Sequence, residues 1–308
     1  MTISTTPARD RRTWPLRRAL CLLTAAACAP YITLKLIWLA GGDLGVSGDA
    51  ATEMHSATFV AANAITMGME IVAVVIVFAF TYPWGRRIPA WLVLAPMWVG
   101  TGLLAPIALG VPLGLAAQAV AGGSPIPEND DSGDMSGWVF AVVYGGFVLQ
   151  AITLLAAFVL YARARWPEAF RRPVIRAGGT RAPQVLFVNG ASVVAVACGV
   201  TQVLWAFTGG EFGGDTAYET VAQRTFAAVG GLLALAGAAG ALALVHGRGS
   251  RPVLALTAAW TGAGHLLAGG LFAGAAGAAG AVNMYGALAG LLLGVAALLT
   301  LVDSRRAG

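Results

Sequence analysis

The sequence predicts an all-α, polytopic membrane bundle of about eight spans, laid out as two parallel four-helix repeats. Three observations lead to it. Of the 308 residues 58% are hydrophobic and only 11% charged, with a mean hydropathy of +0.76. A soluble domain averages about 25% charged residues, and a fold of this size could not hide so much apolar surface from water. Apolar runs of spanning length recur along the whole chain. The segments between them alternate in charge, basic then acidic.

A span needs roughly 20 apolar residues. The first run follows a basic flank, ARDRRTWPLRRALCLLTAAACAP, which looks like a signal peptide. It continues through Tyr31 to Ala40, long enough to cross, and is read as a retained helix over 18–40. Further runs lie at 57–81, 90–120, 137–161, 184–207, 223–246, 252–272 and 281–302. The third is overlong and carries Pro96, Pro106 and Pro112. It is expected to kink, or to end near Gly110 and continue as an interfacial segment. Between the last two runs AGAAGAAG (273–280) is not polar, so their boundary is soft.

The loops test this count independently. Arg9, Arg11, Arg12, Arg17 and Arg18 precede span one, and Arg86 and Arg87 follow span two. Arg163, Arg165, Arg171, Arg172, Arg176 and Arg181 follow span four, Arg248 and Arg251 follow span six, and Arg305 and Arg306 close the chain. The other loops hold Asp43, Asp49 and Glu53, then Glu128, Asp130, Asp131 and Asp134, then Glu211, Asp215 and Glu219. Among the loop arginines only Arg224 breaks the alternation. Basic loops stay cytoplasmic, which predicts a multi-pass protein of a bacterial cytoplasmic membrane with both termini on its cytoplasmic side. The net charge of +5 therefore reports orientation and not nucleic-acid binding. Cys21, Cys28 and Cys198 lie inside apolar runs with no CxxC or Cys/His spacing. They read as small buried hydrophobes, with no metal or cofactor implied.

The two halves share short patterns in the same order. KLIWLAGGDLG (35–45) ends span one and QVLWAFTGGEFG (202–213) ends span five. LVLAPMWVGTGLL (92–104) and LALTAAWTGAGHL (254–266) align without a gap, matching Trp98 with Trp260, Gly100 with Gly262 and Gly102 with Gly264. Spans four and eight share Tyr144-Gly145 and Tyr285-Gly286. The expectation is a duplication, with a first repeat over 1–161, an Arg-rich cytoplasmic linker over 162–183 and a second repeat over 184–308. An even number of spans per unit makes the repeat parallel.

Ionisable groups inside a span cost about 2.5–3.5 kcal/mol on insertion scales and mark functional positions. Glu70 lies near the middle of span two, His265 at a similar depth in span seven, and Lys35 nearer the outer end of span one. Gln150 reaches the same depth from span four. Tyr31, Lys35 and Trp38 share one face of span one, and Asn63, Met67 and Glu70 share one face of span two. Trp98, Trp260, Tyr144 and Tyr285 are candidates for aromatic walls. Each has a structural alternative. Lys35 can snorkel towards Asp43, and His265 can bond a carbonyl or Gln150. Trp38 and Trp205 can anchor at an interface, and Trp98 and Trp260 can be core packing. A Lys35–Glu70 ion pair would have to bridge about two turns of depth. Span six has no counterpart to Glu70, and Gln202 stands where Lys35 stood. Shared residues therefore read as scaffold and unshared ones as site. The acidic run ENDDSGD (128–134) reads as a solvated loop.

A buried carboxylic acid can donate a proton, and Trp and Tyr faces stabilise cations. This combination suits acid-initiated cyclisation of a lipophilic isoprenoid, with Glu70 as the acid and His265 or Lys35 tuning it. The architecture resembles the membrane-integral terpene cyclases of actinobacterial indole-terpenoid pathways. The Trp-x-x-Gly-Gly ending of the first helix (Trp38 to Gly42) also resembles that of uncharacterised small four-span bacterial membrane proteins. The first resemblance implies an isoprenoid substrate in the bilayer; neither carries over a catalytic residue. Two other readings stand beside the enzyme. One is a proton-coupled transporter or export and immunity protein, and the other is a non-catalytic membrane subunit.

Overall fold

A computed structural model describes residues 8–125, 135–170, 180–209, 218–247, 251–272 and 277–306. Eight long helices carry the fold: α1 (Ala8–Leu39), α2 (Ala57–Thr81), α3 (Ala90–Ala121), α4 (Gly137–Arg165), α5 (Arg181–Thr208), α6 (Val221–Val245), α7 (Pro252–Phe272) and α8 (Gly277–Arg306). Seven are long and apolar enough to cross a membrane, and the chain is a polytopic helical bundle. The eighth, α7, is diluted by Thr257, Trp260, Thr261 and His265. Its 21 residues still give about 30 Å of helix, the thickness of the hydrocarbon core. The acidic run at 128–134 and Arg171, Arg172, Arg176, Glu211, Asp215 and Arg248 lie outside the described residues.

Helix ends follow local chemistry. Ser56 caps α2, its hydroxyl accepting from the Phe59 N–H at 3.2 Å. Thr220 and Gln223 form a reciprocal capping box at the start of α6, which satisfies two orphan N–H groups at once. Helix α5 stops at Gly209, in the left-handed region at φ 69°, where a side chain would be strained. The overlong third span is one continuous helix of 32 residues with all three prolines inside it. It neither ends at Gly110 nor becomes a separate segment.

The chain forms two compact units, Met1–Val93 with Asn129–Arg165, and Leu94–Glu128 with Trp166–Gly308. In the first, α1 packs on both α2 and α4. Arg17 of α1 donates to the Phe80 and Leu160 carbonyls at 3.5 and 3.3 Å, at the C-terminal ends of α2 and α4, where cations are favoured. Thr24 and Thr153 bond across α1 and α4 at 2.8 Å. The link from α2 to α3 is clamped to α4 by Tyr161, whose hydroxyl donates to the Gly85 carbonyl at 2.9 Å. At the opposite end, Trp38 packs with Leu34, Val46, Met54 and Val139, and Ser136 N–H donates to the Gly45 carbonyl at 2.8 Å.

The second unit holds the rest of α3 together with α5 to α8. So the third span, which sequence order groups with the first repeat, packs beside the helices of the second half. Its core is built from small residues. Ala195, Ala234, Ala241, Ala263 and Ala296 are fully buried, and a Cβ on Gly262 would lie 2.2 Å from the Leu233 carbonyl oxygen. Small residues let backbones approach, which is how helices associate where lipid is as apolar as leucine. Asp303 accepts from the Thr180 hydroxyl at 2.6 Å and from Gln184 at 3.0 Å, tying the end of α8 to the start of α5.

Candidate functional site

Helices α1, α2 and α4 bring together a two-tier polar cluster within the first unit. The inner tier is Glu70, Gln150 and Cys28, which are 7%, 2% and 1% exposed. Gln150 Nε2 donates to Glu70 Oε1 at 3.2 Å, and the Cys28 thiol faces the same carboxyl group. Glu70 Oε2 and Gln150 Oε1 are buried and take no hydrogen bond. Both are acceptors, so each retains the capacity to take a proton or a donor group.

The outer tier is Lys35 and Asn63. Lys35 is buried, and its ammonium donates to Asn63 Oδ1, standing 4.8 Å from the ring centroids of both Tyr31 and Trp38. Trp38 is held in turn by its indole N–H, which donates to the Leu44 carbonyl at 3.0 Å. One antiparallel register accounts for both tiers. Seven residues back along α1 lead from Lys35 to Cys28, and seven forward along α2 lead from Asn63 to Glu70. That is about 10 Å, which separates Lys35 from Glu70 and gives each its own polar partner. Between the tiers Tyr31 meets Thr66 and packs on Phe147 at 4.9 Å. Met67 is half-buried on the same stretch of α2.

Tyr144 is 41% exposed and continues the aromatic run, with ring centroids 6.4 Å from both Phe147 and Phe140. The remaining sequence candidates fall in the second unit. Trp98 and Trp260 pack on each other at 6.3 Å. Trp98 Nε1 donates to the Trp260 carbonyl at 3.0 Å, and Trp260 Nε1 to the Thr101 hydroxyl at 3.2 Å. The Trp98 ring also lies against Gly264 and Gly294, so these tryptophans pack the crossing of α3 and α7. His265, on α7, has one ring nitrogen at the Gly102 carbonyl and the other unpartnered. Tyr285 is 56% exposed on α8.

Cys28 and Thr66 escaped the sequence reading. A lone Cys in an apolar run carries no signal of its own. Only the α1–α2 register, which periodicity cannot supply, pairs it with Glu70. Among the described residues no three His, Cys, Asp or Glu side chains converge as a metal would require.

Compared with protein-family models, curated proteins and solved structures, the chain matches none.

Proposed function

We propose that this multi-pass membrane protein is an enzyme that cyclises a lipophilic isoprenoid, with Glu70 supplying the first proton. The observation that carries the proposal is the Glu70 carboxyl, buried among three helices with one oxygen on Gln150 and the other unpartnered. In the proposed step the Glu70 O–H bond breaks as its proton adds to one carbon of an alkene, forming a C–H bond. The neighbouring carbon becomes cationic. The π electrons of a second alkene attack it and close a ring. A proton lost to the Glu70 carboxylate then restores an alkene and the acid. The product is an isomer of the substrate, and no co-reactant is consumed. Tyr144 and the Phe147 and Phe140 rings offer π faces to the cation. Tyr31, within electrostatic reach of both Glu70 and Tyr144, connects the acid to that aromatic run. The setting is a bacterial cytoplasmic membrane, with both termini cytoplasmic.

One observation favours a second reading, a proton-coupled carrier. Lys35 already occupies the Tyr31 and Trp38 faces that a carbocation would otherwise use. A buried Lys and a buried Glu two turns apart are also the stations of a proton relay.

The test compares lipid-soluble products from membranes holding wild-type protein, Glu70→Gln, or neither, supplied with linear prenyl substrates of several lengths. A product of unchanged mass and shifted retention, present with wild type and lost in Glu70→Gln, is the expected result. Identical profiles in all three would defeat the cyclase. Proton flux into vesicles, with Glu70→Gln and Lys35→Met as the variants, then decides for or against the relay.

A further inference from the structure

The second unit contains a polar arrangement that the proposed chemistry at Glu70 does not use. His265 of α7 and Gln202 of α5 converge on Gly230 of α6. A Cβ built on Gly230 would stand 3.1 Å from His265 Nε2 and 3.2 Å from Gln202 Oε1. That point lies at bonding distance from the Gly230 Cα and is not itself open to another atom, but it sets both polar atoms against one face of Gly230, within about 6 Å of each other, a gap that a single donor can bridge. Each of these atoms is buried, and neither has a hydrogen-bond partner in the protein.

The character of the pair narrows what fits. The other ring nitrogen of His265 faces the Gly102 carbonyl, which can only accept. That contact puts the ring proton on Nδ1 and leaves Nε2 as an acceptor. The amide oxygen of Gln202 is an acceptor as well. Two converging acceptors call for a group that donates twice, and leaving both unmet inside a bilayer would cost several kcal/mol.

The first unit shows how the same spacing looks when the protein satisfies it. Lys35 and Asn63 lie 28 residues apart and bond to each other; Gln202 and Gly230 are separated by the same interval. In the first pair a side-chain donor meets a side-chain acceptor. In the second the donor has become an amide, the acceptor has become a glycine, and His265 contributes a further acceptor.

We propose that Gly230, His265 and Gln202 form a buried site for one small two-proton donor, either a water molecule or the ammonium end of a small amine. The site is independent of Glu70 and remains whether or not the protein cyclises anything.

Full-length protein carrying 15N-histidine, reconstituted in lipid nanodiscs, tests this by solid-state NMR, because His55, His246 and His265 are the only histidines. In wild type the His265 Nε2 resonance is expected to receive magnetisation from exchangeable protons that do not belong to the protein. Gly230→Ala, which pushes a methyl group against both polar atoms, is expected to lose that transfer. Gln202→Leu, which removes one acceptor without adding bulk beside Gly230, should lose it too. Gly190→Ala, where a Cβ meets nothing within 4 Å, should keep it. Methylammonium then separates the two sources. A saturable shift of Nε2 assigns an amine, and a water contact indifferent to methylammonium assigns water. The proposal is overturned if wild type shows no such transfer with or without methylammonium. It is equally overturned if Gly230→Ala leaves the transfer intact, or if Nε2 couples directly to the Gln202 amide protons.

Discussion

Trp98 and Gly102 show how much one residue can decide in this protein. A Cβ on Gly102 would lie 2.0 Å from the Gly264 carbonyl oxygen, whereas one on Gly100, two positions earlier, meets nothing within 4 Å. Gly102→Ala must therefore push α3 away from α7 and strain the paired tryptophan hydrogen bonds. The expected cost is about 1–3 kcal/mol. Gly100→Ala should fall within about 0.5 kcal/mol of wild type. Thermal unfolding of the two variants in detergent, followed by tryptophan fluorescence, checks the contrast; equal midpoints would refute the close crossing. At this scale the sequence was legible wherever helical spacing alone sets a face. Tyr31, Lys35 and Trp38, and Asn63 and Glu70, are grouped as their periodicity requires. Cys28, Thr66 and Gly230 were not legible, because their meaning depends on which residue of a neighbouring helix stands opposite. The aligned tryptophans were visible as a pair, but that they touch was not.

Helices in the first unit are held at their ends by charged and polar groups acting on backbone. Arg17 reaches carbonyls towards the C-terminal ends of two helices at once, and Tyr161 and Arg165 secure the link that follows α2. Arg17→Leu keeps the apolar stem and removes the donors. It is expected to cost about 1–3 kcal/mol, read as a lower midpoint of thermal unfolding, with the Glu70–Gln150 tier unaffected. Loss of the Glu70-dependent product without loss of stability would contradict this assignment. Element positions were read closely from apolar length and the flanking charges, because each span is set by bilayer thickness. For the third span, the alternative of an end near Gly110 is ruled out by the continuous helix. Its prolines allowed a kink or an end, and inside a bundle neighbouring helices and local adjustments can re-satisfy the freed carbonyls; Gln118 near its end accepts from the Ala222 N–H of α6 at 3.0 Å.

Across the whole molecule the charge alternation makes a topological prediction. Asp43 and Arg87 are both exposed and lie in loops of opposite charge, separated by a single span. With Cys21, Cys28 and Cys198 replaced by Ala, a cysteine introduced as Asp43→Cys should react with an impermeant maleimide in intact cells. One introduced as Arg87→Cys should react only after the membrane is opened. The reverse pattern would invert the proposed orientation, and labelling of both in intact cells would break the span count. Sequence order could not disclose how the spans divide between the two compact units. Charge alternation orders spans along the chain but carries no information about which helix packs against which.

That division has a consequence for how the protein is made. Trp98 finds its partner carbonyl 162 residues further on, and at synthesis rates of roughly 5–20 residues per second that helix is born about ten to thirty seconds before α7. Helices α1, α2 and α4 can meet in the meantime, while α3 holds its glycine-and-tryptophan face towards lipid or a chaperone until the second half arrives. A chain stopped before α7 therefore keeps the Gln118–Ala222 bond between α3 and α6 but leaves the Trp98 indole without its carbonyl partner.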